Sequence, residues 1–168
     1  MAKYASRLAC QPSVQSDRRA CRKYLANNLV LNIKQIDHLV LRAIDIEAMM
    51  AFYVDVIGCS VEKTQKEIGL YQLRAGRSLI DLLLVDEKPG RIDNVTPGKA
   101  GRNLDHFCLS IDPFDTDDVI RYLKSKDIDP GKVESRYGAE GDGPSIYVTD
   151  PEGNVVELKG PPWQAGGT

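Results

Sequence analysis

Two histidines, one tryptophan and four cysteines occur among 168 residues, and each scarcity excludes something. Cys10, Cys21, Cys59 and Cys108 form no CxxC pair and no finger-type metal spacing; they read as reduced thiols of a cytoplasmic protein. No apolar run approaches the roughly 18 residues of a membrane span, so no membrane partner is expected. The net charge of −2 supplies no global field for nucleic acid or an anionic surface. A Gly-rich phosphate loop, a nucleophile elbow and a basic-aromatic patch are all missing, which leaves nucleic acid out as a partner.

The charge that is present is uneven. Residues 1–33 carry Lys3, Arg7, Arg18, Arg19, Arg22 and Lys23 against Asp17. This stretch has no apolar periodicity and no long h-region of a secretory signal. It reads as an N-terminal extension, flexible or packed on a partner.

From Lys34 on, the chain repeats itself. Residues 34–85 form a first module, 86–101 a Pro/Gly-rich linker, 102–160 a second module and 161–168 a tail. Lys34–Leu41 alternates as a strand, and Asp45 caps a helix with Ile46, Met49, Met50, Tyr53 and Val56 on one stripe. Gly58 ends it. Strands are predicted over Cys59–Thr64, Glu67–Arg74 and Ser78–Val85, with a tight turn at Ala75-Gly76-Arg77. The second module repeats the order: strand Asn103–Ile111, a helix capped by Asp115, a short strand Lys132–Arg136, an irregular loop Tyr137–Pro144, and strands Ser145–Thr149 and Asn154–Lys159 joined by the turn Asp150-Pro151-Glu152-Gly153. The expected fold is α+β: two βαβββ modules forming a cup-shaped, mostly antiparallel curved sheet, with helices outside.

Both histidines stand at matching points of this repeat, in Ile36-Asp37-His38-Leu39 and Leu104-Asp105-His106-Phe107. Each is followed, in the last strand of its module, by an acid among aliphatics: Asp81 in Leu79–Val85 and Glu157 in Asn154–Lys159. A carboxylate in such a strand is costly if buried without a partner, and a cation offsets that cost. Facing modules would converge His38, Asp81, His106 and Glu157 on one divalent ion (Zn, Ni, Co, Mn or Fe) with positions left open for substrate. Asp81 could instead pair with Arg74 or Arg77 across its hairpin. Cys108 and Ser110 share the face of His106. Arg136 and Tyr137 precede a glycine-rich loop, where an arginine could hold an anionic group.

These features resemble a family. The opening Asp-His strands, Ala51–Cys59 (AFYVDVIGC), Asp105–Ile111 (DHFCLSI) and above all Tyr147–Gly160 (YVTDPEGNVVELKG) are similar to the vicinal oxygen chelate superfamily, which includes glyoxalases, bleomycin resistance proteins and extradiol dioxygenases. The resemblance implies that His38, His106 and Glu157 are metal ligands, with Asp81 at the variable fourth position. It also implies a homodimer. The expected activity is that of a glyoxalase-like lyase or isomerase. In it a Lewis-acid metal chelates a small oxygen-bearing substrate and stabilises an enediolate or similar oxyanion, and Glu157 or Asp81 moves the proton. An Fe(II) ring-opening dioxygenase and a non-catalytic small-molecule-binding protein are the alternatives.

Overall fold

The computed structural model describes residues 31–85 and 104–163. The expected linker 86–101, most of the N-terminal extension and the end of the tail lie outside the described residues. The elements below belong to a unit spanning Ile36–Thr168.

The first module runs β1 (His38–Ala43), α1 (Ile46–Ala51), β2 (Ser60–Gln65), β3 (Leu70–Ala75) and β4 (Ser78–Leu84). The second runs β5 (His106–Ser110), α2 (Thr116–Ser125), β6 (Glu134–Gly138), β7 (Gly141–Thr149) and β8 (Val155–Lys159). Each makes a four-stranded mixed sheet, in the orders β1-β4-β3-β2 and β5-β8-β7-β6. The first and last strand of each module pair in parallel, and the remaining pairs are antiparallel. The fold is therefore α+β with few helices.

Both helix caps follow the sequence expectation. The Asp45 side chain accepts from the Ala48 N–H, and that of Asp115 from the Asp118 N–H, each satisfying a first-turn donor that has no intrahelical partner. After Ala51 the first helix widens into a π turn over Phe52–Val56, and Gly58 leaves it at φ +87°. Elsewhere the elements differ from expectation. The first strand begins at His38 rather than Lys34, and Lys66–Ile68 is a 3-10 turn preceding β3. The stretch 137–144, read as an irregular loop, is mostly a tight hairpin between β6 and β7. Trp163 fastens it: its N–H donates to the Asp142 carbonyl and its Nε1 to Ser135 Oγ.

One face of each sheet is apolar and buried. Leu41, Ala43, Leu73, Ile80 and Leu82 of the first sheet and Ile146, Val148, Val156 and Leu158 of the second belong to one buried apolar cluster that also takes in Met49, Phe52, Tyr53 and Leu123. The period of two then sends the intervening residues to the opposite face.

The modules are tied together by the Asp150–Asn154 turn. Buried Asp150 accepts from the N–H of Glu152 and of Asn154 through Oδ1, and from Tyr53 OH at 2.9 Å and Asn154 Nδ2 through Oδ2. Burial, followed by the charge and hydrogen bond of Asp150, drives the Tyr53 phenol far above its usual pKa, so it stays a donor. Glu152 Oε1 accepts from Ile44 N and Asp45 N at the start of α1. From α2, Tyr122 OH donates to the carbonyls of Asp55 and Val56, serving acceptors that the end of a helix leaves unpaired.

Candidate metal-binding half-sites

The face opposite the core carries the polar residues singled out from the sequence. In the first module His38 pairs with Leu79, and Val40, two residues on, pairs with Asp81. In the second His106 pairs with Val155, and Cys108 pairs with Glu157. The two registers are equivalent, so each sheet places an imidazole and a carboxylate on adjacent strands at the same offset.

In the second module His106 Nε2 lies 3.2 Å from Glu157 Oε2, and the edge of the Tyr147 ring meets the imidazole at a centroid distance of 5.4 Å. Glu157 is 6% exposed, and its Oε1 accepts from Ser145 Oγ at 2.6 Å. In the first module Asp81 is 5% exposed; Gln72 Nε2 donates to its Oδ2 at 3.0 Å, and Gln65 extends the chain by bonding Gln72. Asp81 Oδ1 is buried and has no hydrogen-bond partner. The alternative partners do not take it up, since Arg74 pairs with Glu62 instead.

Both imidazoles are oriented by the residue before them. His38 Nδ1 lies 2.9 Å from Asp37 Oδ1, and His106 Nδ1 lies 2.7 Å from Asp105 Oδ2. A carboxylate at Nδ1 favours the tautomer protonated there and leaves the Nε2 lone pair for a metal, the arrangement that supports metal-ligating histidines. The Asp37 hydrogen bond raises the pKa of His38; desolvation opposes it, and the charges of Asp81 and Asp37 add lesser upward contributions.

Four residues that serve this site were not singled out from sequence. Asp37 and Asp105 had a visible signal, an acid immediately before each scarce histidine. Gln72 and Ser145, which hold the carboxylates, had none, because cross-strand neighbours appear only once the register is known.

The remaining candidates divide. Cys108 and Ser110 lie on the face of His106 and Glu157. The Cys108 thiol is pushed up to about 11 by burial and then by Glu157, so it is a neutral thiol near pH 7. Arg136 shares this face, but its guanidinium pairs with Glu134. Tyr147 and Glu134 hold it firmly protonated. Tyr137 lies one residue further along β6, on the opposite face, and is exposed.

Among the described residues, no three His, Cys, Asp or Glu side chains of one chain come together as a metal-holding group. The four expected donors are thus not gathered into one group within a single chain; each sheet carries a candidate half-site of one imidazole and one carboxylate. Their donor chemistry still fits a divalent cation. Hard oxygen and borderline nitrogen donors are present, each imidazole Nδ1 has a carboxylate partner, and one buried carboxylate oxygen lacks a partner.

A duplicated βαβββ unit with one histidine and one carboxylate on the same face of each sheet is the architecture of a known superfamily. The profile of the Glyoxalase/Bleomycin resistance protein/Dioxygenase superfamily matches residues 35–158, and the chain belongs to that superfamily. The virulence protein STM3117 of Salmonella typhimurium is 31% identical over 128 residues, 75% of this chain and 83% of that protein. Its crystal structure superposes with a TM-score of 0.63 at 28% identity, covering 78% of this chain and 99% of the other. An integron cassette protein from the mobile metagenome of V. cholerae gives 0.60 at 26% identity, covering 77% and 97%. A lactoylglutathione lyase from Agrobacterium tumefaciens gives 0.53 at 25% identity, covering 76% and 94%. No helix among the described residues is long and apolar enough to cross a membrane.

Proposed function

We propose that this protein is a metal-dependent, glyoxalase-like lyase or isomerase acting on a small oxygen-bearing substrate. In this reading it works as a homodimer in which the His38/Asp81 half-site of one copy meets the His106/Glu157 half-site of the other. The observation that carries the reading is Asp81 Oδ1, a buried carboxylate oxygen without a partner, in register-equivalent position to Glu157. Such an atom costs roughly 1–3 kcal/mol when left unsatisfied, a cost that ligation would remove.

When bound, a divalent ion supplies Lewis-acid stabilisation of negative charge on the substrate's vicinal oxygens. The chain's own residues do the rest. Asp37 and Asp105 hold the imidazoles by Nδ1 and leave each Nε2 for ligation, that of His106 standing 3.2 Å from Glu157 Oε2. Ser145 anchors Glu157 Oε1, and Oε2, 3.2 Å from His106 Nε2, is the atom that would accept a substrate proton. Gln72 does the same for Asp81, fixing Oδ2 and leaving Oδ1. Both carboxylates are buried, so water competes little for them, which suits general-base work.

Asp81 also separates the alternatives. A ring-opening dioxygenase needs two histidines and one carboxylate, and a sequestering protein needs no ligands at all. A fourth donor, buried and held by Gln72, favours lyase or isomerase chemistry. The test is metal quantification on the wild type, His38→Ala and Glu157→Ala. Stoichiometric metal in the wild type with loss in both variants is expected; equal metal in all three would remove the reading.

A further inference from the structure

The open faces of the two sheets match place by place but differ in chemistry around their carboxylates. Along β4, Asp81 is flanked by Leu79 and Leu83, two residues to either side. Val40 pairs with Asp81 from β1, and Leu70 pairs with Leu83 from β3. The period of two puts all four on the face of Asp81, opposite Leu41, Leu73, Ile80 and Leu82. Val40 is 46% exposed and the three leucines are half-buried. None of these four described residues is among those packed against the apolar core. Arg42 and Arg74 stand at the corners of this face, on the rungs of Leu83 and Leu79.

In the second sheet the corresponding places around Glu157 hold Val155, Lys159, Cys108 and Ser145. One aliphatic thus stands where the first sheet has four. The aromatic ring on that face, Tyr147, makes a T-shaped contact with His106. Aliphatic surface beside a buried carboxylate serves neither the core nor an ion. A second copy offers it no apolar match, because the face that the metal-site reading brings opposite is the polar one. Water against four aliphatic side chains is unfavourable, and hydrocarbon on a ligand would displace it.

We infer that Val40, Leu70, Leu79 and Leu83 form a wall that takes an aliphatic substituent of the substrate. The substrate class is then a molecule with vicinal oxygens and a hydrocarbon chain on the Asp81 side. The inference rests on the metal-site reading for the position of those oxygens. The four side chains bind and select, and proton transfer stays with the carboxylates. Burying one methylene is worth roughly a fourfold gain in affinity, so a chain of a few carbons is enough to set a preference.

The test uses full-length protein reconstituted with zinc and titrated calorimetrically with acetohydroxamate or hexanohydroxamate. The two probes present the same pair of vicinal oxygens and differ only in chain length. Hexanohydroxamate should bind the wild type about tenfold or more tightly than acetohydroxamate. In a variant carrying Val40→Thr with Leu83→Thr, both changes to good strand formers, that ratio should fall to about twofold or less, with acetohydroxamate binding unchanged. Equal binding of the two probes by the wild type, or an unchanged ratio in the variant, overturns the inference. Should the double variant fold poorly, Val40→Thr alone decides, at an exposed position: the ratio should fall about twofold, and no fall is contrary. A variant that is monomeric where the wild type is dimeric, read by light scattering, also overturns it, since a second copy would then cover the wall. Failure to hold zinc, or binding of neither probe by zinc-loaded protein, defeats the metal-site reading and the inference with it, whereas equal binding of both defeats the inference alone.

Discussion

Replacing Asp81 by leucine should make the metal-free protein more stable while abolishing metal uptake. Asp81 is a nearly fully buried carboxylate with one oxygen bonded to Gln72 and the other to nothing. The substitution forfeits the Gln72 bond, worth about 1.5–3 kcal/mol to a charged acceptor, and the weak attraction to His38. It recovers the desolvation of a buried carboxylate, on the order of several kcal/mol, and adds about 1.5–3 kcal/mol from a buried leucine side chain. The balance favours Asp81→Leu by about 1–3 kcal/mol, in line with the gain of roughly 1–4 kcal/mol seen when buried charges are replaced by apolar groups. The assay is urea unfolding in chelator at fixed protein concentration, because association would couple to stability. With metal added, the wild type should gain stability and Asp81→Leu should not. Destabilisation of the metal-free protein by more than about 1 kcal/mol would refute the reasoning, since Asp81 would then be a structural residue.

Three further outcomes follow from the same geometry. Asp105→Asn and Asp37→Asn should each weaken metal affinity about ten- to a hundred-fold, as loss of a histidine-orienting partner does elsewhere; competition with a chromogenic chelator measures it, and unchanged affinity counts against the tautomer argument. Tyr53→Phe removes a buried bond to Asp150 across the modules and should cost about 1.5–3 kcal/mol in urea unfolding, whereas a change under about 0.5 kcal/mol would show that the turn does not tie them. The Cys108 thiol, held up to about 11 first by burial and then by Glu157, should be alkylated slowly at pH 8, with a rate rising about tenfold per pH unit toward pH 10 as thiolate forms. Glu157→Gln should quicken it, and a rate already on a plateau at pH 8, read by peptide mapping, would contradict the assigned environment.

Much of this site was legible before any coordinates. Period-two alternation around His38, His106, Asp81 and Glu157 fixes which face each occupies, and the duplication matches them in pairs; strand registers then repeat that equivalence residue for residue. The caps at Asp45 and Asp115 were equally readable, because capping is local. What was not readable is long-range. Asp150, Glu152 and Tyr122 belong to turn and helix patterns in the sequence, and their tie to the first module depends on tertiary placement. The hairpin at 137–144 was hidden by its glycines, which read as loop but allow close approach, Gly138 to the Lys159 side chain and Gly143 to the Pro161 carbonyl. Whether the two half-sites meet within a chain or between copies is a property of assembly, which periodicity does not encode.

Complementation between two inactive chains tests the central claim most directly. One chain carries His38→Ala with Asp81→Leu, and the other carries His106→Ala with Glu157→Ala. Each alone should take up no metal. Mixed and refolded together, they should recover one intact site per mixed dimer, seen as bound metal that co-migrates with the dimer. Metal retained by either variant alone, or a mixed dimer that binds none, would contradict a site built from two copies.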